Sequence, residues 1–331
     1  MSYFVPQPRF KARFPWLGSD LQTLRASLPG QHVSLASWPG ERLFIGLADG
    51  DQMLASFHRP TPGDAAATRP LVVLLHGLTG SEDSRYLRAT AAFLLHHGWP
   101  VLRLNLRGAG PSNPLCRSLY HSGRSEDLRE ALGVLNHERP ALLADGLCLI
   151  GFSLGGNLLL KALAEADLPL VPIAAAAVSS PVDLKRTAQR LAAWRNWPYQ
   201  GRLLAGMRRE LHGKLPQGLA QAAAAARSVY ALDERVTAPW HGFGSADDYY
   251  AQASAGPRLG QIGQPTLLLH ADDDPWVPRQ AYDCLQWWKP GHPVQLVMAR
   301  SGGHLGFHGR GSSLAWFNRQ ILRFFERQLA G

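Results

Sequence analysis

The sequence predicts an α/β chain: a mainly parallel central sheet, helices on both of its faces, and a helical insertion above it. Three observations predict it. From residue 71 onward, short apolar runs alternate with helical stretches. That alternation breaks once, over residues 183–260, where no convincing strand occurs. One apolar run also ends in a glycine-flanked serine that leads straight into a helix-forming segment. Short buried strands separated by helices require crossover connections, and these give a parallel sheet covered on both sides.

The elements follow in order. Residues 1–30 read as an irregular arm punctuated by Pro6, Pro8 and Pro15. Residues 42–48 and 52–58 are strand-like, and Asp49-Gly50-Asp51 supplies the turn chemistry of a hairpin between them. The apolar runs are 71–75, 100–104, 147–152, 173–178, 266–270 and 294–298. Helical stretches fall at 84–97, 124–137, 155–166, 279–288 and 313–328. The expected organisation is therefore an arm over 1–30, a core over 31–182 and 261–331, and a cap over 183–260. In the cap, Leu184, Ala188, Leu191 and Ala192 keep helical spacing, as do Leu203, Met207 and Leu211. A helical insertion between two strands is placed to roof a pocket above their carboxyl ends.

The chemistry is carried by Gly151-Phe152-Ser153-Leu154-Gly155. A strand-to-helix turn sharp enough to expose a serine hydroxyl brings neighbouring backbones too close for β-carbons, which explains the glycines. The helix N-terminus then points amides toward developing negative charge. Ser153 is the candidate nucleophile. The run 71–75 ends in His76-Gly77-Leu78-Thr79-Gly80, a glycine-bearing loop suited to a second oxyanion donor, so the backbone amides of Leu78 and Leu154 are the candidate oxyanion hole. His76 is expected to fix that loop rather than act as a base.

A serine needs a base, and the base needs a partner that holds its tautomer. In sheets that present a serine in this way the acid follows the nucleophile and the histidine comes last. The run 266–270 leads into Asp272-Asp273-Asp274-Pro275. Asp274 is the leading acid, because Pro275 fixes its turn, with Asp273 and Asp272 as rivals. After the final run, Ser301-Gly302-Gly303-His304 makes His304 the leading base, with His308 as its rival.

Composition narrows the alternatives. The 331 residues are 46% hydrophobic and 18% charged, an ordinary globular balance. Cys116, Cys148 and Cys284 show no paired spacing, Cys148 reads as core, and a reducing, cytoplasmic setting is expected. No signal peptide is read at the N-terminus, and no apolar stretch reaches a bilayer span. The net charge of +9 comes from arginines scattered between Arg9 and Arg327, so a solvated surface is expected and a nucleic-acid partner is not. Gly108-Ala109-Gly110-Pro111-Ser112-Asn113 lacks the third glycine of a dinucleotide loop and reads as a turn with no helix starting there. No metal-ligand spacing and no cofactor motif occurs, so none is expected.

In the cap, Lys185, Arg186, Arg190, Arg195, Arg202, Arg208 and Arg209 accompany Trp194 and Trp197. The favoured reading is a solvated face with the tryptophans packed beneath it; the competing one is weak peripheral contact with an anionic membrane.

Several segments together resemble the YheT-like branch of the α/β-hydrolases. They are Phe14-Pro15-Trp16-Leu17, Leu21-Gln22-Thr23-Leu24, Asn105-Leu106-Arg107-Gly108, Tyr120-His121-Ser122-Gly123, Gly151 to Asn157, Val236-Thr237-Ala238-Pro239, His241-Gly242-Phe243 and Asp248-Tyr249-Tyr250. Asp274 also stands before Val277-Pro278 at the spacing of that family's acid loop. The resemblance implies the α/β-hydrolase fold and a serine esterase acting on small-molecule carboxylic esters through an acyl-enzyme. Acyl transfer to an alcohol, as in fungal relatives, is the alternative, and a noncatalytic binding protein ranks below both. Ala109 stands where many of these relatives carry cysteine or serine, a departure at the pocket rim.

Overall fold

A computed structural model describes residues 10–25, 33–61, 68–283 and 291–330. Eight strands form one sheet: β1 Gly40–Gly46, β2 Gln52–His58, β3 Leu71–Leu75, β4 Val101–Leu104, β5 Leu147–Phe152, β6 Ala174–Val178, β7 Thr266–Ala271 and β8 Val294–Ala299. Their spatial order is β1-β2-β4-β3-β5-β6-β7-β8. The β1–β2 hairpin is antiparallel and joins β4 antiparallel, whereas every pair from β4 to β8 is parallel. Strand β1 begins two residues earlier than the sequence pattern suggests. The turn closes at residue 47, whose amide donates to the Asp51 carbonyl, and the chain has left the ladder there.

Twelve α-helices accompany the sheet among the described residues. They are α1 Ser19–Arg25, α2 Arg85–His96, α3 Ser125–Glu138, α4 Leu154–Glu165, α5 Leu184–Ala192, α6 Trp197–Leu211, α7 Gln217–Ala225, α8 Val229–Leu232, α9 Ala238–Trp240, α10 Ala246–Ala253, α11 Gln280–Asp283 and α12 Trp316–Ala330. No helix among the described residues is long and apolar enough to cross a membrane.

Strands β3, β5 and β6 are buried along their whole length. Their alternate side chains feed two cores, one under α3 and α4 and the other under α2 and α12. Fully burying each aliphatic side chain contributes about 1.5–3 kcal/mol, which explains why these runs carry no polar interruption.

Three features depart from the sequence reading. Helix α1 lies inside the segment read as irregular; the run Ser19–Arg25 is free of proline and glycine and has Asp20 in its first turn. The segment read as a plain turn forms a 3₁₀ helix, Gly110–Leu115, with Pro111 pre-setting the backbone at its start. Of the stretch 279–288, residues 280–283 are helical and 284–288, with Cys284, lie outside the described residues. Between β6 and β7 the chain leaves the sheet for α5–α10, joined by 3₁₀ turns and by one π-helical turn, Asp233–Thr237.

Candidate active site

Strand β5 delivers Ser153 and α4 starts at the next residue. Ser153 takes φ +50° and ψ −122°, a conformation that costs a non-glycine residue about 1–3 kcal/mol. Its amide donates to the Val178 carbonyl (2.8 Å), and its own carbonyl accepts from Gly156 and Asn157 (2.9 and 3.2 Å). The turn survives because the backbones around it touch: a β-carbon at Gly155 would strike the carbonyl oxygen of His76.

The loop after β3 lies against this turn, since a β-carbon at Gly77 would come within 3.0 Å of the Ser153 β-carbon. Three amides of the loop are engaged. Gly77 N–H donates to Tyr86 Oη (2.8 Å), Thr79 N–H to Tyr120 Oη (2.7 Å), and Gly80 N–H to the Gly77 carbonyl (3.0 Å). Among the described residues, the amides of Leu78 and Leu154 have no acceptor within the protein. His76 sits beneath the loop. Its Nδ1–H donates to the Gly77 carbonyl (2.8 Å) and its Nε2 accepts from Leu106 N–H (3.0 Å). Burial drives its pKa down to about 4, so the ring stays neutral and both nitrogens are satisfied.

Asp274 follows β7, and His304 lies in the loop after β8. His304 Nδ1–H donates to Asp274 Oδ2 at 2.9 Å, and Ser153 Oγ–H donates to His304 Nε2 at 2.9 Å. The second Asp274 oxygen accepts from the amides of Trp276 and Val277 (2.8 and 3.0 Å). Burial alone would raise the Asp274 pKa. The His304 ring, His270 and the Val277 amide outweigh it, and the carboxyl lies below its ordinary range. The rivals stand elsewhere. Asp273 accepts from Gly303 N–H (2.9 Å), Asp272 pairs with Arg279 (3.3 Å), and the His308 backbone is bound by Gln22. None of the three has a hydrogen bond to Ser153.

Several contributors lie outside the sequence reading. The Trp276 ring stacks on the His304 imidazole with centroids 4.2 Å apart, and Tyr199 of α6 packs edge-on against Trp276. His270, at the end of β7, donates from Nε2 to the Val277 carbonyl (3.1 Å) and brings Nδ1 to 4.0 Å from Asp274. Thr23 of α1 accepts from His304 N–H (2.8 Å) while donating to the Ser19 carbonyl (2.8 Å). A cavity of about 900 Å³ opens above Ser153 and His304, and α5 and α6 supply much of its apolar wall through Leu184, Leu191, Leu203 and Met207.

A family model described as the alpha/beta hydrolase fold matches residues 70–310. The chain belongs to the α/β-hydrolase family. It is 34% identical to YheT of Escherichia coli (strain K12) over 80% of this chain and 77% of that one. It is 30% identical to Phospholipase ABHD3 of Homo sapiens over 73% of this chain, and spans 59% of that longer protein. Among solved α/β-hydrolases, the Pyrococcus furiosus esterase Pf2001 superposes with a TM-score of 0.57 at 16% identity, covering 98% of this chain and 99% of that one. That last likeness speaks for the fold alone.

The tryptophans of the α/β-hydrolase's insertion correct the sequence reading. Trp194 and Trp197 are 80% and 67% exposed, not packed beneath a solvated face. The short 3₁₀ turn Trp194–Asn196 buries Asn196, whose amide donates to the Arg190 and Pro275 carbonyls, and this turns both neighbouring indoles outward.

Proposed function

We propose that this α/β-hydrolase cleaves carboxylic esters through an acyl-enzyme on Ser153. One observation carries the reading: an unbroken relay from Ser153 Oγ to His304 to Asp274, each link 2.9 Å, at the floor of an apolar cavity. Ser153 Oγ attacks the ester carbonyl carbon as its proton passes to His304 Nε2, and the imidazolium that forms faces the Asp274 carboxylate. The carbonyl oxygen becomes an oxyanion between the amides of Leu78 and Leu154, where each preorganised donor contributes about 2.7–4 kcal/mol. Collapse breaks the bond to the alcohol, which leaves with the proton from His304. Water then repeats the cycle on the acyl-enzyme and releases the acid. The cavity volume and apolar lining suit a medium or long acyl chain, and the phospholipase name of one relative agrees with ester chemistry.

The test is turnover of p-nitrophenyl esters of increasing acyl length by the wild type and by Ser153→Ala. The reading expects a loss of about a million-fold in the variant. Equal turnover by both proteins overturns it. Added ethanol separates hydrolysis from acyl transfer: a dominant ethyl ester product assigns the acyl-enzyme to an alcohol acceptor instead of water.

A further inference from the structure

Helix α1 presents two faces. Gln22 and Thr23 are buried against the His304 loop, while Leu21 and Leu24, three residues apart on the helix, are exposed, as is Leu17 just before it. Phe14 is exposed just before them. Trp194, which lines the cavity, and Trp197 three residues on are exposed as well. Asp20 joins the two sides: Arg195 donates to Oδ2 and Tyr199 Oη–H to Oδ1, each at 3.0 Å. Ten large apolar side chains are exposed among the described residues, and six of them belong to these two neighbouring segments. A soluble surface scatters such residues singly, so a cluster of this kind marks a contact surface.

We propose that this rim is the face by which the protein docks on a lipid bilayer with anionic headgroups, laying the cavity mouth on the membrane. Indole rings favour the boundary between hydrocarbon and water, and clustered exposed leucines enter it together. The charge is complementary. The cavity lining carries Arg85, Arg88, Arg195 and Arg202 against Asp20, Asp83 and the buried Asp233, on a chain of net charge +9. Part of that charge is spoken for, since Arg88 pairs with Asp83 and Arg195 with Asp20, whereas Arg202 is exposed. Farther along the insertion, Lys185 pairs with Asp247, Arg186 pairs with Asp183, and Arg208 donates to three carbonyls. Apolar insertion therefore supplies most of the attraction and the mouth arginines select the headgroup charge. The docking rests on the esterase reading only for its purpose. Binding is measured without turnover, so either idea can fail alone.

The experiment is sedimentation of the full chain with vesicles of phosphatidylcholine alone, or of phosphatidylcholine with phosphatidylglycerol, at low and high salt. The wild type should pellet more with the anionic vesicles than with phosphatidylcholine alone, and high salt should remove that difference while leaving the apolar part of the binding. The variant Leu17→Ala/Leu21→Ala/Trp197→Ala, which changes exposed side chains outside the cavity lining, should lose at least about tenfold in partitioning. Its turnover of a water-soluble ester should match the wild type. A wild type that stays in the supernatant overturns the proposal, and so does equal binding by the variant or equal binding to both vesicle types. Velocity sedimentation without lipid provides the last arm: a dimer dispersed by the same substitutions would assign the rim to a second copy of the chain and overturn lipid docking.

Discussion

The nucleophile turn and the histidine loop reach the same hydrogen bond from opposite directions. The turn is compact in sequence: strand β5 and helix α4 flank Ser153 directly, with the Val178 carbonyl, the His76 carbonyl facing Gly155 and the loop 77–80 as its few distant partners. The histidine loop is assembled. His304 is fixed by Asp274 from the loop after β7, by Trp276 stacked on its ring, and by Thr23 from α1. Gly303, at φ +57°, is pressed against α1 so closely that a β-carbon there would collide with the Ser19 carbonyl. Strain positions the nucleophile, while distant partners position the base. The first arrangement fails abruptly when a neighbour is enlarged; the second fails in steps as partners are removed.

The largest step is loss of the acid. Asp274→Asn keeps the shape but offers an amide to His304 Nδ1, favouring the wrong tautomer, and should lower kcat by about 10⁴-fold with little change in KM. Steady-state kinetics on a soluble ester check this; a loss under tenfold would show that the base does not depend on residue 274.

Acid tests stability beneath both regions. Burial is the first cause that lowers the pKa of His76, His121, His241 and His308, to about 4, 2, 4 and 3. Each binds a proton less well folded than unfolded. Its contribution is therefore whole above the unfolded value near 6.5 and drains as pH falls toward the folded value, by up to about 2 kcal/mol each at pH 5. Burial moves Glu210 and Asp233 the other way, up to about 7 and 6. Their cost is present at neutral pH and is relieved on acidification, returning nearly half of that loss. Denaturant unfolding should show a net loss of roughly 4 kcal/mol between pH 7.5 and pH 5; stability rising on acidification would mean these rings are protonated when folded.

The local arrangement breaks at Gly155. Gly155→Ala forces the turn away from His76, and a displacement near 1 Å should lower kcat by about 10²-fold. Circular dichroism separates this from unfolding, and unchanged kinetics would show the contact to be soft.

The smallest step is Thr23→Val. It leaves the buried His304 amide without its acceptor and should lower kcat by about tenfold, with KM nearly constant and Thr23→Ser restoring the rate. Equal loss in the serine and valine variants would point to packing, not to the hydroxyl.

The same contrast explains what the sequence makes legible. Strands β3 and β5 match their apolar runs residue for residue, because strands buried on both faces tolerate no polar interruption. The serine turn is readable since the glycines that permit it, Gly151 and Gly155, lie within five residues. Helix α1 escapes notice because seven residues between prolines and glycine are too few for a periodic signal. Thr23 is invisible as a partner of His304, since 281 residues separate them and nothing in a threonine announces its contact. The outward turn of Trp194 and Trp197 is hidden likewise, because the buried amide of Asn196 between them sets it.

The most direct measurement is mass analysis of the protein after exposure to a fluorophosphonate, with the modified peptide sequenced. The account predicts a single adduct on Ser153, formed orders of magnitude more slowly in His304→Ala. An unlabelled wild type, an adduct on another residue, or labelling indifferent to the loss of His304 would contradict it.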